Sequence, residues 1–545
     1  IGINKGAKAG IHCNAMMRGW RLWLIAAGTL GFYGALIFNI YGLQIENGSY
    51  YFRRATVQAE GGNVLSPKRG TIFFQDKNGN KIPVAFNREF PIIFAVPKEI
   101  EDPSEASMAI ADALNLNAAE IKLRLEKPND QYELLILKAT ADQVTQARSL
   151  ALKGLYVDSD YFRFYPFGSL GSQVLGFVGP DSSTGSFSGR YGLESYYDDT
   201  LQRSDLSLTI DRNIQSQSEK VLKDLIDRYD AAGGTVIVQD PKTGDILAMG
   251  NYPTFDPNEY AKFDLENFTN PAIQAVYEPG SVFKVLTMAS GLDAGKITPA
   301  TSYYDTGSLT LNGKTIKNWD GKAHGQTTMT EVIEQSINTG AAFAEKKTGH
   351  DLFYNYLLKF GLDDLSGITL PGELSGRLGN LKISTRDINF ATASFGQGVS
   401  VTPLQLINAI SALANKGVLM KPNILAGHPP EVLGAVISSE AAEQVTEMMV
   451  SAVTKAEVAK IDGYRIAGKT GTAQVPDFRN GGYSDQYIHS YTGFAPASDP
   501  KFTILIKIDK PKGVGLAGAT VVPAFRELAQ FVINYYNIPA DRLAD

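Results

Sequence analysis

The sequence predicts an α/β protein of the α+β kind: an antiparallel sheet flanked by helices, behind a separate amino-terminal domain and a single transmembrane helix. Three observations predict it. Two pairs of apolar, strand-like runs, 235–239 with 246–250 and 490–495 with 502–508, stand at opposite ends of the second half of the chain. A long, mostly helical stretch over 281–451 separates them, which is the pattern of a sheet carrying a helical layer. Near the amino terminus, residues 22–45 include no charged side chain.

That uncharged run is mostly apolar over 22–40. As a helix it rises about 28 Å, the thickness of a bilayer's hydrocarbon core. Lys5, Lys8, Arg18 and Arg21 precede it and Glu46 follows. The asymmetry predicts a cytoplasmic tail over 1–21, a transmembrane anchor over 22–45 and an extracytoplasmic remainder. Trp20, Trp23 and Tyr41 stand where interfacial aromatics belong. A cleaved signal peptide fits less well, because Phe38-Asn39-Ile40-Tyr41 offers no small-residue cleavage site. The residues before Met16-Met17 read as an upstream extension.

A first domain is expected over 46–205, with short β-like runs and two helical patterns, 102–114 and 140–151, capped by Asp102 and Thr140. Gly and Ser accumulate over 179–192, which reads as an exposed loop. A second domain is expected over 206–545. Asp211 caps an amphipathic helix to about Tyr229, a turn-rich Asp240–Asp245 segment joins the first strand pair, and a helix over 523–535 has Pro523 in its first turn.

Composition narrows the chemistry. Of 545 residues 44% are hydrophobic and 20% charged, which is material for a core and not for a disordered chain. Lys plus Arg number 51 against 57 Asp plus Glu, a net charge of −6, which argues against nucleic-acid binding. The single cysteine, Cys13, excludes a disulfide framework and a thiolate zinc site. The five histidines form no metal-binding pair at helical spacing. No metal and no cofactor are expected.

Three short patterns occur in order: Ser281-Val282-Phe283-Lys284 after Tyr277-Glu278-Pro279-Gly280, then Ser336-Ile337-Asn338, then Lys469-Thr470-Gly471-Thr472. Singly each is weak. Ser498-Asp499-Pro500-Lys501 repeats the first spacing inside a turn, Lys242-Thr243-Gly244 is a hairpin turn, and Lys347-Thr348-Gly349 ends a helix. The ordered set is the signature of active-site serine penicillin-recognising enzymes. Its physics is direct. Ser281 stands at a helix start after a Pro-Gly turn, and Lys284 shares its face at i+3. A serine hydroxyl needs a base within hydrogen-bond reach. Lowering a lysine pKa from about 10.4 to about 7 costs roughly 4 kcal/mol, and burial beside a second cation, Lys469, pushes that way. Whether Lys284 is the neutral base or stays charged while Ser336 relays the proton is open at this level.

With these motifs, and with Asp240-Pro241, Asn251-Tyr252-Pro253, Phe395-Gly396-Gln397-Gly398 and Thr402-Pro403-Leu404-Gln405, the chain resembles a class B penicillin-binding protein of the division type. Arg163-Phe164-Tyr165-Pro166, 175–179 and Gly192-Leu193-Glu194 resemble that family's elongated amino-terminal pedestal, the dimerisation domain. The segment around Arg69-Gly70-Thr71-Ile72 departs from the family pattern, with two extra residues and Lys77 in place of Arg. Val282 replaces a frequent Thr.

The resemblance implies a peptidoglycan D,D-transpeptidase in the bacterial cytoplasmic membrane, with its catalytic domain outside. Ser281 would attack the D-Ala-D-Ala carbonyl of a stem peptide, with the N–H groups of Ser281 and Thr472 as oxyanion hole. Lys284 would act as base, Ser336 and Asn338 would handle the proton and the substrate amide, and Lys469, Thr470, Gly471 and Thr472 would hold the substrate carboxylate. β-Lactams would acylate the same serine. A membrane glycan polymerase and divisome or elongation proteins are the implied partners. A D,D-carboxypeptidase or β-lactamase of the same fold, or a non-catalytic β-lactam-binding scaffold or sensor, are the competing readings.

Overall fold

The computed structural model describes residues 12–41, 69–127, 130–180, 187–383, 386–477 and 481–541. The expected tail before residue 12, the end of the expected anchor and the start of the first domain (42–68) lie outside the described residues, as does 181–186 of the expected loop. Residues His12–Tyr41 form a helix. Among the described residues no helix is long and apolar enough to cross a membrane.

The chain divides into two compact units. In the first, built on 89–162, the helix Pro103–Leu114 starts at Asp102, whose carboxylate accepts the N–H groups of Ser104 and Glu105. The helix Ala141–Ser149 starts with a reciprocal capping box between Thr140 and Gln143. Both caps are those the sequence predicts. These helices and Ala118–Leu125 bury Ile110, Leu114, Ile121, Leu125 and Ala147 against Ile93.

Of the described residues, the second unit takes in 69–88, 163–179 and 188–541. Its centre is a five-stranded antiparallel sheet in the order Ala467–Pro476, Tyr483–Ala495, Phe502–Asp509, Gly233–Gln239, Ile246–Tyr252. The two strand pairs foreseen at opposite ends of the sequence thus meet edge to edge, Leu505 facing Ile237 in register. Alternating side chains serve two layers. Val236, Val238, Ile504 and Ile506 pack under the helices Arg212–Tyr229 and Val521–Tyr536, whereas Ile237 and Leu505 join the core of Lys284–Asp293, Pro403–Ala414 and Ser439–Ala456. Asp211 caps the first of these helices through the N–H groups of Asn213 and Ile214. The strand Ala467–Pro476 is an edge.

Two expectations need correction. The stretch over 281–451, expected as mostly helical, carries more strand than foreseen. It holds the strand pairs Ser302–Asp305 with Gly325–Thr328, Ser308–Leu311 with Lys314–Lys317, and Val418–Met420 with Val432–Ala435. Its short β runs are joined by turns at Gly307, Asn312-Gly313 and Gly321, all with positive φ, too brief to register as strand periodicity. The Gly- and Ser-rich 179–192 is likewise more than loop: Phe187–Arg190 is a strand. A Cβ on Gly189 would fall 1.8 Å from the Glu194 carbonyl oxygen, so glycine is required there by a close backbone crossing.

Beside that crossing, Glu194 is fully buried between two arginines. Arg69 Nε donates to its Oε2 (3.0 Å) and Arg163 Nε to its Oε1 (2.6 Å), while Tyr165 donates to the same oxygen at 3.2 Å. Arg69 also donates to Asp198. Removing the central carboxylate leaves two buried cations short of an acceptor. Glu194→Ala should therefore lower the unfolding free energy by about 3–5 kcal/mol, measured by chemical denaturation, with Glu194→Gln in between.

Candidate active site

Pro279-Gly280 turns the chain, with Gly280 at φ +61°. The expected single helix from Ser281 is divided: Gly280–Phe283 is a 3₁₀ turn, and the α-helix begins at Lys284. In a 3₁₀ turn residues i and i+3 eclipse, so the turn carries Ser281 and Lys284 on one side. The turn lies against the edge strand of the sheet. A Cβ on Gly280 would meet Ala473 Cβ and Thr472 O at 3.1 Å, and one on Gly471 would meet Pro279 O and Val282 Cγ2 at 2.9 Å. Gly471, expected among the substrate-binding residues, is the point where the Ser281 turn touches the Lys469 strand.

Ser336 sits in the turn between the helices Met329–Glu334 and Asn338–Thr348, with φ +57°. A non-glycine residue there is held at a cost of order 1 kcal/mol, and such strain collects at functional sites. The position brings its hydroxyl between two amines. Lys284 Nζ lies 3.1 Å from Ser336 Oγ and 2.5 Å from Ser336 O, and Lys469 Nζ lies 3.0 Å from Ser336 Oγ. Lys469 also reaches Thr470 Oγ1 at 3.2 Å. The three motifs therefore converge. One detail differs from expectation: the hydrogen bonds of Lys284 run to Ser336, and Ser281 is not among its partners.

The two amines share a setting that disfavours charge. Lys284 is fully buried and Lys469 is 4% exposed. Burial, reinforced by the charge of Lys469, holds the Lys284 pKa well below the ordinary lysine value. Burial lowers that of Lys469 to about 7. His489, paired with Thr472 in register, is no rival base: its Nδ1 is 3.0 Å from Thr520 Oγ1, and burial lowers its pKa to about 4.

The remaining predicted residues flank this centre. Asn338 opens its helix and donates from Nδ2 to Lys317 O at 2.9 Å. Thr470 and Thr472 alternate with the buried Lys469 and Gly471 along the strand and are half-buried. Thr472 Oγ1 accepts the Ala517 N–H at 3.2 Å. Of the decoys, Lys242 and Lys501 both pair with Asp499 at the surface, and Gly349 ends a helix as expected.

Sequence reasoning missed the supports. Glu278, three residues before Ser281, accepts the Gly398 N–H (2.9 Å) and the Tyr483 hydroxyl (3.0 Å), tying the nucleophile's turn to the Phe395–Gly398 loop and to the strand beside Lys469. Asp305, Asn318 and Thr339 form a buried polar cluster beneath Ser336-Ile337-Asn338. Only Asp305-Thr306-Gly307 carries a local signal, that of a turn.

Comparison with known proteins agrees with this geometry. Residues 234–530 match the penicillin binding protein transpeptidase domain and residues 64–227 the penicillin-binding protein dimerisation domain. The chain is 33% identical over 509 residues to stage V sporulation protein D of Bacillus subtilis, covering 84% of this chain and 76% of that one. It is 28% identical over 563 residues to the peptidoglycan D,D-transpeptidase FtsI of Escherichia coli, covering 96% and 93%. Among solved structures, a peptidoglycan synthetase from Bifidobacterium adolescentis is similar with a TM-score of 0.66 at 28% identity, covering 88% of this chain and 97% of that one. Penicillin binding protein 2X from Streptococcus thermophilus shares the fold, with a TM-score of 0.69 at 22% identity over 87% of this chain and 81% of that one. A dimerisation domain ahead of a transpeptidase domain, with the three motifs gathered on one serine hydroxyl, places this chain in the class B penicillin-binding protein family.

Proposed function

We propose that this protein is a peptidoglycan D,D-transpeptidase that cross-links stem peptides through an acyl-enzyme on Ser281, and that β-lactams acylate the same oxygen. The observation that carries the reading is the Ser336 hydroxyl within hydrogen-bond distance of both Lys284 and Lys469. Ser281 Oγ attacks the carbonyl carbon of the penultimate D-Ala while its proton passes to the neutral amine of Lys284. The N–H groups of Ser281 and Thr472 face the oxyanion, each worth about 3 kcal/mol. The proton then moves to the departing nitrogen and D-Ala leaves. The amine of a second stem peptide attacks the ester, regenerates the Ser281 hydroxyl and completes the cross-link. Lys469, Thr470 and Thr472 hold the substrate carboxylate, a task for a fixed cation and hydroxyls.

The charge states support that division of labour. Lys284 is held well below the ordinary lysine range and so is open to a neutral, proton-accepting form, whereas Lys469 keeps a proton up to about pH 7. The hydrogen bonds of Lys284 to Ser336, with none to Ser281, favour a route in which Ser336 joins the proton path.

The proposal extends to the setting. Residues 1–21 form a cytoplasmic tail, 22–45 a single membrane anchor, 46–205 the dimerisation pedestal and 206–545 the catalytic domain, outside the bacterial cytoplasmic membrane. The uncharged run at 22–45 supports the anchor, as do the exposed apolar side chains of Trp23, Leu24, Ile25, Phe32 and Ile37 on the helix His12–Tyr41. A septal role, alongside a membrane glycan polymerase, follows the likeness to the division-type relative.

Three outcomes test the reading. Ser281→Ala abolishes labelling by a fluorescent penicillin while the melting temperature is kept; a labelled variant contradicts the nucleophile assignment. The second-order acylation rate of a carboxylate-bearing penicillin rises with pH as Lys284 loses its proton and falls above about pH 7 as Lys469 loses its own. Lys469→Arg acylates more slowly but lacks that falling limb. Finally, Lys284→Met abolishes acylation yet stabilises the fold at pH 7 by about 1 kcal/mol. The sign follows from linkage: the unfolded lysine binds a proton that the native one does not, so the penalty is complete below the depressed native pKa and is lost as pH rises to the unfolded one. The gain should shrink as pH rises toward 10, as thermal melts at pH 7 and 10 would show.

A further inference from the structure

We propose that the strand arm 302–328 is a clamp on the Ser336 turn, with Thr339 and Asp305 as positioning residues that act on the reaction through Ser336. The inference rests on the transpeptidase reading and deepens it.

Ser336 has a left-handed backbone, and the helix after it, from Asn338, has Ile337 at its N-cap with no side-chain cap. The Ile337 N–H closes the preceding helix on the Val332 carbonyl (3.0 Å), and the arm adds bonds to the turn from both sides. Before Ser336, Trp319 Nε1 donates to the Gln335 carbonyl at 3.0 Å. After it, Asn338 Nδ2 donates to Lys317 O (2.9 Å) and the Thr339 N–H donates to Asn318 Oδ1 (3.2 Å). Three successive arm residues, Lys317 to Trp319, thus grip the chain on each flank of the catalytic hydroxyl.

Asp305 fixes the grip. It is 1% exposed and accepts four hydrogen bonds: from Thr339 Oγ1 (2.6 Å) and the Gly307 N–H (3.0 Å) on one oxygen, and from Asn318 Nδ2 (2.8 Å) and the His324 N–H (2.9 Å) on the other. Burial pushes its pKa up, but the bonds from Thr339, Gly307, His324 and Asn318 outweigh burial and hold it below the ordinary carboxylate value. It stays ionised and acceptor-only. A buried carboxylate with four donors defines one arrangement of them, and two of the four, Asn318 and Thr339, belong to the grip. The Tyr303 hydroxyl, 3.0 Å from Thr339 Oγ1, completes the cluster.

The arm does not need this cluster to stay attached. Ile316, Leu309 and Leu311 pack against Ala341, Ala342 and Ile388, and Tyr303 stacks on Phe343. The polar cluster sets the register of the turn on top of that apolar contact, and so sets the distances from Ser336 Oγ to the two lysines.

The test compares Thr339→Val, which keeps the shape and loses the hydroxyl, with Thr339→Ser, which keeps the hydroxyl, in the full chain with a fluorescent penicillin. Thr339→Val is expected to fold, to acylate roughly 10- to 100-fold more slowly, and to show a displaced pH profile because both amines lose a fixed shared partner. Thr339→Ser restores rate and profile. A valine variant with wild-type rate and profile overturns the proposal, as does a serine variant as slow as valine. Should Thr339→Val not fold, Trp319→Phe decides: Trp319 is exposed, so the chain still folds, and loss of its bond to Gln335 slows acylation if the clamp operates and leaves the rate unchanged if it does not. Failure of the transpeptidase reading looks different, because there the wild-type protein itself takes up no penicillin at Ser281.

Discussion

One hydroxyl between two buried amines governs this site. Ser336 Oγ lies within 3.1 Å of Lys284 Nζ and 3.0 Å of Lys469 Nζ, and among the described residues neither amine has a carboxylate partner. Two ammonium ions cannot share such a setting cheaply, because burial removes their hydration and each repels the other. Burial, reinforced for Lys284 by the charge of Lys469, lowers both pKa values, and the shared oxygen couples the titration of the two groups so that their apparent pKa values belong to the pair.

The rest of the domain serves to impose that crowding. The five-stranded sheet sets Lys469 on an edge strand beneath the helical layer. The nucleophile's turn touches that strand at Gly280 and Gly471, where any side chain would force the backbones apart. Glu278 ties the turn to two further segments, and the arm 302–328 bonds to the chain on both flanks of Ser336. Stability is supplied elsewhere, by the apolar faces of the sheet and by the ion cluster around Glu194, which leaves the catalytic centre free to be strained.

Legibility in the sequence followed the range of the interaction. Caps were readable because they are local: Asp102, Thr140 and Asp211 each reach backbone N–H groups two or three residues on. The central strands were readable from their apolar runs, although their adjacency across some 260 residues was not, being a tertiary pairing. The candidate site residues were readable because chemistry fixes residue types at short spacings. The supports were not. Asp305 and Thr339 are 34 residues apart, Glu278 and Tyr483 are 205 apart, and nothing local marks either pair. Glycines misled in one place, where Gly189 looked like loop composition and proved to be a close backbone crossing.

The account stands on suppressed charge at the two amines, and direct titration reaches it. With lysines labelled by ¹³C at Cε, NMR of the wild-type protein should show two resonances, assigned through Lys284→Met and Lys469→Arg, that titrate far below the bulk. Lys469 should have its midpoint near pH 7, and Lys284 should titrate well below the ordinary lysine range. If both midpoints instead fall near 10 with the other lysines, the amines are ordinary ammonium ions and the proposed base does not exist.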